Sequence, residues 1–165
     1  MSGKKFRRVM GHFPTGVTIV TGLADSAPAG LTIGSFTSVS LEPPLVGFFP
    51  HVQSRTWGAM AEYGKFSVNV LGAGQDATCA HFAVMGRVNR FDGIPWHPGV
   101  GGLPVLDEAI AWMDCDVWAV HEVGDHLFVV GEVVAMEHRE DDPQPLVFYR
   151  GRLGGYTGPD RRRRR

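Results

Sequence analysis

The sequence predicts a mainly β fold, an antiparallel and closed or nearly closed barrel with a few short helices outside it. Among the 165 residues are 22 Gly and 11 Pro, and they separate short apolar runs in the way that turns separate strands. Most connections between these runs are too short for the helix that a parallel crossover requires. We expect a single domain over residues 1–158, followed by a disordered Arg-rich tail over residues 159–165.

The first fifty residues predict one helix and three strands. Phe6, Val9, Met10 and Phe13 recur at the spacing of one helix face, and Pro14 ends the helix because it disfavours helical geometry in the residue before it. The strand-like segments are rich in Val, Ile, Thr and Phe and are bounded by Gly and Pro. They read "GVTIVTG", "GLTIGSFTSVS" and "PLVGFFP".

The middle of the chain alternates short helices with one strand. "SRTWGAMAEYG" predicts a helix with Ser54 as its N-cap and Gly64 as its C-terminal stop. "KFSVNVL" predicts a strand and "QDATCAHFAVM" a second helix. Residues 86–104 are rich in Gly and Pro and show no periodicity, which predicts a long connection of the kind that often carries function.

The last third predicts three consecutive strands. They read "AIAWMDCDVWAVHEV", "HLFVVGEVVAMEH" and "PLVFYRGRL", and a tight turn at Gly124 and Asp125 joins the first two.

Composition and charge argue against several classes of protein. Five of the 16 basic residues form the terminal Arg run, so the rest of the chain carries 11 basic against 17 acidic residues, which disfavours a nucleic-acid surface. The terminal Arg run is typical of a solvated tail, and binding to an anionic partner is the less simple alternative. No apolar run reaches membrane-spanning length and the N-terminus lacks an apolar signal core, so we expect a cytoplasmic protein without a membrane partner.

The cysteines and histidines do not form a recognisable metal motif. Cys79 and Cys115 lie in element interiors without a C-x-x-C pair, so we expect two buried thiols. His121 and His126 flank a turn instead of forming H-E-x-x-H on a helix. We therefore expect no metal site.

Gly72, Gly74 and Ala77 match the G-x-G-x-x-G/A pattern of dinucleotide-binding loops. Such a loop works inside a parallel βαβ unit, with an acidic residue about 20 positions further on. Asp92 has the spacing, but it lies in a loop-like segment of a chain that reads as antiparallel. The simpler interpretation is a glycine turn from strand to helix.

A second polar signal lies earlier in the chain. Ser54, Arg55 and Thr56 open a predicted helix, where hydroxyl groups, backbone N–H groups and a guanidinium can together hold a phosphate. Ser54 could equally be a simple N-cap. Hydroxyl residues also crowd the preceding strand-like run, at Thr32, Ser35, Thr37, Ser38 and Ser40.

These segments together resemble the flavin reductase-like family of FMN-binding split barrels, the short-chain reductase components of two-component monooxygenases. The resemblance extends from about Phe6 to Tyr156. It implies a six-stranded antiparallel Greek-key split β-barrel with a few short flanking helices, a homodimer with its flavin site near the subunit interface, and NAD(P)H:flavin oxidoreductase activity. The pieces that carry it are "FRRVMGHFPTGVTIVT", "AGLTIGSFTSVSLEPPLVGFF", "SRTW", "KFSVNVL" with Gln75, "HFA" followed by "RF", "AWMDCDV", "GDH" and "PLVFYRGRLGGY".

The resemblance also implies roles for particular residues. His126, in the Gly-Asp-His turn, would contact the nicotinamide nucleotide, NADH or NADPH, with Tyr149, Arg150 and Gly151 from the last strand beside it. Ser54, Arg55 and Thr56 would hold the phosphate of FMN or FAD. The flavin ring and ribityl chain would meet Gly30, Leu31, Thr32, Ser35 and Ser38, a wall formed by Phe48, Phe49, Pro50 and His51, and a closing group of His81, Phe82 and Arg90.

Two alternatives to a flavin reductase stay open at this point. A flavin-binding electron-transfer or storage protein could use the same barrel without accepting hydride, and a pyridoxamine phosphate oxidase-like protein is a second enzymatic possibility. In a reductase, reduced flavin would pass to a partner monooxygenase. His126 could also simply cap the turn, and Tyr149 could be ordinary strand surface.

Overall fold

The computed structural model describes residues 2–84, 89–141 and 143–158, so the predicted tail at residues 159–165 lies outside the described residues. The described helices are α1 (Gly3–Met10), α2 (Arg55–Ala61) and α3 (Asp76–Ala83). The described strands are β1 (Thr15–Gly16), β2 (Thr18–Ala24), β3 (Ala27–Ile33), β4 (Thr37–Ser40), β5 (Leu45–Phe48), β6 (Lys65–Val70), β7 (Trp96–Pro98), β8 (Pro104–Leu106), β9 (Ala111–Val123), β10 (His126–His138), β11 (Leu146–Tyr149) and β12 (Arg152–Gly155).

The main sheet has seven strands in the order β3-β2-β6-β9-β10-β5-β4. A three-stranded sheet, β1-β11-β12, and the β7-β8 hairpin accompany it. Every ladder between the described strands is antiparallel. The mainly β, antiparallel prediction with few helices is confirmed, whereas the main sheet has seven strands where the resemblance implied six.

The two edge strands of this sheet are close along the chain, and this forces the sheet to curve. Only residues 34–36 separate β3 from β4, and four Cα–Cα steps span at most about 14 Å. In a flat seven-stranded sheet the two edges would lie about 29 Å apart, at roughly 4.8 Å per strand. The short connection is therefore possible only if the sheet coils its edges towards each other.

Two segments predicted as single strands each form two. "GLTIGSFTSVS" divides into β3 and β4, and "PLVFYRGRL" divides into β11 and β12. In the second case Arg150 and Gly151 both have positive φ, 50° and 78°, which is the conformation of a two-residue type I′ hairpin turn. An arginine is an unusual residue at such a position, so the turn was not recognised from the residue types. The prediction of a continuous last strand through Tyr149, Arg150 and Gly151 was wrong.

The core lies between the coiled main sheet and α2. Phe48 and Phe66 are completely buried, and their rings meet edge-on at 5.2 Å. Trp57 of α2 adds a third ring, 5.2 Å from Phe48. The predicted N-cap of α2 is confirmed, since the Ser54 hydroxyl accepts the Trp57 N–H at 3.2 Å. A second buried cluster lies under α3 and includes Ile19, Leu71, Phe82 and Leu146.

The N-terminal helix forms as predicted, but its apolar face does not pack into this core. Phe6, Val9, Met10 and Phe13 remain 57%, 61%, 49% and 68% exposed. Their periodicity therefore marks an apolar surface that the core of the same chain does not cover.

The G-x-G-x-x-A segment is a structural turn. β6 lies between β2 and β9 and pairs with both in antiparallel fashion, so no βαβ unit surrounds it. The buried Gly72 N–H donates to Gln75 Oε1 at 2.7 Å, and a Cβ on Gly72 would lie 2.6 Å from Ile110 Cγ2. The turn interpretation is confirmed, and the dinucleotide-loop interpretation is excluded.

The long connection predicted over residues 86–104 contains regular structure that its sequence did not indicate. Trp96–Pro98 and Pro104–Leu106 pair as the β7-β8 hairpin, while residues 86–88 lie outside the described residues. Cys79 and Cys115 are buried free thiols, as expected. Of the helices in the described part of the chain, none has the length and apolar character needed to cross a bilayer.

Candidate functional site

Three segments from distant parts of the sequence meet at one end of the main sheet, which we call the loop end. They are the β3–β4 connection (residues 34–36), the segment between β5 and α2 (residues 49–54) and the β9–β10 turn (residues 124–125). Phe49 N–H donates to Ser35 Oγ at 3.0 Å. Leu127 N–H donates to the Pro50 carbonyl at 2.9 Å, and Val52 N–H to the Asp125 carbonyl at 3.1 Å. Hydrogen bonds donated by main-chain N–H groups thus hold the loop end together.

Two histidines lie side by side at the loop end. The His51 and His126 rings meet edge-on with centroids 5.4 Å apart. His126 Nδ1 lies 2.7 Å from Asp125 Oδ1, and since a carboxylate can only accept, Nδ1 carries the hydrogen. Nε2 is then the ring nitrogen that can meet a ligand. The hydrogen bond from His126, with its charge, holds the pKa of Asp125 below its ordinary value.

His51 is oriented by its own loop. Its Nδ1 accepts the Gln53 N–H at 3.1 Å, so a neutral His51 carries its hydrogen on Nε2. The side chain of His126 is 43% exposed, and His51 is also exposed. Both rings are therefore fixed by hydrogen bonds and accessible to a ligand.

Of the residues predicted to form an aromatic wall, Phe49 lies beside a ring that was not predicted, and Phe48 does not face the loop end. Phe49 stacks on Phe128 with centroids 4.7 Å apart and an interplanar angle of 12°. Gly47 makes room for this pair, since a Cβ there would lie 2.5 Å from Phe128 Cε2. Phe48 points into the core and is completely buried, so its side chain cannot form a wall. Pro50 is buried but contributes its carbonyl to the loop end.

The predicted phosphate cradle lies at the start of α2. Ser54 Oγ accepts a hydrogen bond from Trp57 N–H, and its own hydroxyl hydrogen remains available as a donor. Arg55 is exposed and Thr56 is half-buried. None of the ion pairs between described residues involves Arg55. A hydroxyl donor beside an uncommitted guanidinium fits an anionic group such as a phosphate.

A second group of predicted residues forms a framework behind β3. Arg90 Nη1 donates to the carbonyls of Gly30 and Phe82 at 2.9 and 3.0 Å, and its Nη2 to the carbonyl of Val84 at 3.3 Å. Burial lowers the pKa of Arg90. The Arg90 carbonyl lies 2.9 Å from His81 Nε2. These bonds fasten the end of α3 to the edge strand.

The same framework restricts what Leu31, Thr32 and Phe82 can do. Thr32 Oγ1 donates to the Cys79 carbonyl at 3.1 Å. Phe82 is 1% exposed and lies under Gly30, where a Cβ would be 2.9 Å from the Phe82 ring. Leu31 is 9% exposed within the core. The side chains of Leu31 and Phe82 are therefore packed into the core. Ser38 is exposed on the edge strand β4.

The remaining predicted residues lie against α1. Arg150 N–H donates to the Gly11 carbonyl at 3.0 Å, and the Tyr149 ring meets His12 edge-on at 6.4 Å. Arg150 and Gly151 line a cleft that also includes Gly34. Gly34 also belongs to the loop end, so the cleft and the loop end share this residue.

Comparison with known protein families matches residues 10–157 to the family described as "Flavin reductase like domain". The chain belongs to this flavin reductase-like family. The resemblance predicted from the sequence segments is confirmed.

Individual members of the flavin reductase-like family share much of the sequence. The reductase subunit HsaB of a flavin-dependent monooxygenase from Rhodococcus jostii (strain RHA1) is 42% identical over 160 residues, which cover 96% of this chain and 80% of that protein. The FMN reductase (NADH) SmoA from Agrobacterium fabrum (strain C58 / ATCC 33970) is 40% identical over 156 residues, covering 94% and 87%.

A solved structure shows the same fold. The NADH:FAD oxidoreductase SgcE6 from Streptomyces globisporus C-1027, in complex with NAD and FAD fragments, matches with a TM-score of 0.88 and 37% identity. The match covers 96% of this chain and 94% of that chain.

Two residues at the loop end of this flavin reductase-like chain were not among the predicted site residues. Asp125 orients His126, and the Gly-Asp-His motif could have indicated it. Phe128 supports Phe49, and no sequence signal distinguished it from other strand residues. Within residues 2–84, 89–141 and 143–158, no three His, Cys, Asp or Glu side chains are grouped as metal ligands.

Proposed function

We propose that this protein is an NAD(P)H:flavin oxidoreductase that supplies reduced flavin to a partner monooxygenase. Membership of the flavin reductase-like family and the names of its relatives support this function. The loop end is the observation that connects this function with particular residues. There, residues more than ninety positions apart in the sequence come together, namely Ser35, His51, the start of α2 and His126.

The site residues would bind and orient two cofactors. Hydride transfer from the nicotinamide to the flavin is chemistry that the cofactors supply when bound. The chain's part is to hold two ring systems in contact, which can account for much of a rate enhancement without any acid–base group. The stacked Phe49 and Phe128 rings and the hydrogen-bonded backbone of the loop end suit that task.

Each part of the site has a proposed role. The start of α2, with Ser54, Arg55 and Thr56, would hold the flavin phosphate. The backbone from Gly30 to Ser35, Ser38 on β4 and the Phe49–His51 segment would line the flavin ring and ribityl chain. His126 would contact the nicotinamide through Nε2. Arg90, His81 and Phe82 would position β3, and Tyr149, Arg150 and Gly151 would border the nucleotide.

Both FMN and FAD suit this arrangement as flavins. The names of SmoA and SgcE6 connect relatives with FMN, FAD and NADH, and this favours NADH over NADPH as hydride donor. The HsaB relative is a monooxygenase subunit by name, which supports a monooxygenase as the recipient of reduced flavin.

We also propose a six-stranded Greek-key split barrel. β3 and β4 derive from one continuous strand-like segment, and counting them as one bent strand with β2, β5, β6, β9 and β10 gives six. The forced coiling of the main sheet supports closure between its edges.

A homodimer is proposed from exposed apolar side chains on the outer part of β9 and β10. Trp118 and Val134 each lie at a β-bulge, 56% and 55% exposed, and Met136 is 68% exposed. Bulges redirect side chains, and an apolar group of this kind suits burial against a second copy.

The function is tested by recording nicotinamide and flavin absorbance after mixing the protein with NADH or NADPH and with FMN or FAD. We expect NADH oxidation that depends on added flavin. A protein that binds flavin but oxidises neither nicotinamide would be a carrier and would overturn the proposal.

The His126→Ala variant tests the placement of the nicotinamide. It should raise the KM for NADH by roughly tenfold, the effect of one lost hydrogen bond of about 1.4 kcal/mol, and leave FMN affinity unchanged. His121→Ala is the matched control, since His121 is an exposed histidine on β9. Equal NADH kinetics in the two variants would remove His126 from the nicotinamide site.

A further inference from the structure

A cleft of about 770 Å³ separates α1 from the β11–β12 hairpin. Its volume lies within the usual range of roughly 300–1,000 Å³ for small-molecule sites. Backbone contacts join the segments on the two sides of the cleft, because Arg150 N–H bonds to the Gly11 carbonyl and Thr15 pairs with Phe148.

Part of the cleft lining is made of glycines. Gly11, Gly34 and Gly151 all line it. Gly151 has a φ of 78°, which few residues other than glycine adopt. Glycines in a cleft lining allow a ligand to approach the backbone closely.

The walls of the cleft are aromatic and apolar. Phe6 and Phe13 stand on the α1 side and Phe148 on the hairpin side, 57%, 68% and 43% exposed. Exposed phenyl rings on both sides of a cleft suit a flat aromatic group between them. This surface is the face of α1 that the core leaves uncovered.

The charged residues that line the cleft are all cationic. Arg7, Arg8 and Arg150 line it, and none of its lining residues in the described chain is acidic. The ion pairs between described residues use other cations, namely Lys65, His97, His126, His138 and Arg139. Three guanidinium groups without carboxylate partners form a site for phosphate oxygens, which arginine binds in bidentate fashion.

We propose that this cleft binds the ADP half of a dinucleotide, with the adenine between the phenyl rings and the diphosphate on the arginines. The inference rests on the proposed function, which supplies NADH and FAD as the two dinucleotides of this chemistry. Gly34 places the cleft directly beside Ser35 at the loop end. An ADP group in the cleft would therefore leave the other half of the same molecule within the proposed flavin and nicotinamide site.

The test compares two double variants of α1 in the full-length chain. Arg7→Gln/Arg8→Gln removes two charges that line the cleft, and Lys4→Gln/Lys5→Gln removes two charges from the same helix that do not. Gln, Arg and Lys have similar helix propensities, so α1 should form equally well in both. Equal melting temperatures and equal FMN affinities would establish that both variants are folded.

ADP binding is measured by calorimetric titration. We expect the wild type and the lysine variant to bind ADP equally and the arginine variant to bind it at least about tenfold more weakly. Equal ADP affinity in the two variants, or no ADP binding by the wild type, overturns the proposal.

Kinetics then distinguish the source of the ADP group. A raised KM for NADH in the arginine variant, with FMN as the flavin, assigns the cleft to NADH. A raised KM for FAD with unchanged KM values for FMN and NADH assigns it to FAD. No change in any of the three overturns a role for the cleft in dinucleotide binding. A wild type that binds ADP in this pattern but oxidises no nicotinamide would refute the proposed function and leave the cleft assignment standing.

Discussion

Arg90 offers a sharp test of whether a predicted site residue binds the cofactor or supports the residues that do. Its guanidinium makes two short hydrogen bonds, to the carbonyls of Gly30 and Phe82, and a longer one to Val84. Hydrogen bonds from a charged group contribute about 1.5–3 kcal/mol each. Arg90→Met keeps the aliphatic stem and loses all three bonds. Because the site is half-buried, water can replace part of what is lost, and we expect a loss of about 3 kcal/mol in the free energy of unfolding.

In a domain of this size, that loss should lower the melting temperature by roughly 6–12 °C. Arg90→Lys keeps the charge but not the forked geometry, and its melting temperature should lie between those of the wild type and Arg90→Met. Arg152→Met, at an exposed arginine, should melt like the wild type. FMN affinity, measured by fluorescence quenching well below the transition, should change less than stability does. An Arg90→Met protein with an unchanged melting temperature and much weaker FMN binding would refute the supporting role.

Three further predictions follow from other contacts. Gln75→Leu leaves the buried Gly72 N–H without its acceptor. Thermal melting should therefore show a loss of about 1–3 kcal/mol in stability, and the KM for NADH should be unchanged. A raised KM for NADH at unchanged stability would contradict the turn interpretation. Arg55→Ala combined with Thr56→Ala should weaken FMN binding by roughly ten- to a hundredfold and leave riboflavin binding unchanged; equal losses for both would place the cradle elsewhere. Burial, with the nearby aspartates, raises the pKa of Cys115 from 9.0 to about 12. The stability contributed by the protonated Cys115 thiol is therefore complete below pH 9 and lost as the pH rises towards 12. In the pH-dependent unfolding of Cys115→Ala, this loss should be absent.

The sequence predicted the fold class well because antiparallel strands joined by short turns can be recognised from local sequence patterns. β9 and β10 are long, rich in β-branched residues and joined by a glycine turn, and the ladder between them follows directly from that pattern. The division of "GLTIGSFTSVS" into β3 and β4 does not correspond to such a local pattern. The break arises because the two halves pair with different neighbours, β2 and β5, and pairing across a coiled sheet is not a local property.

The sequence indicates segments that could form a candidate site, but it does not show how the side chains of those segments are oriented. Leu31, Phe48 and Phe82 lie in such segments, and their side chains face the core. Alternation along a strand indicates that two faces exist. It does not show which face the neighbouring elements cover when both faces carry apolar residues.

The polar groups of the loop end are largely committed to the protein before any ligand arrives. Ser35 accepts from Phe49 N–H, Ser54 accepts from Trp57 N–H, and His126 donates to Asp125. A ligand must therefore use their remaining donors and acceptors, whose directions are already fixed, and fixed groups bind with a smaller loss of conformational entropy. The same commitment means that removing such a side chain should lower stability together with affinity. Arg55 is the contrasting case among the described residues, since it takes part in no ion pair and is exposed. Its removal should lower affinity for a phosphate alone, and that separation distinguishes a residue that meets the ligand from one that holds the site in shape.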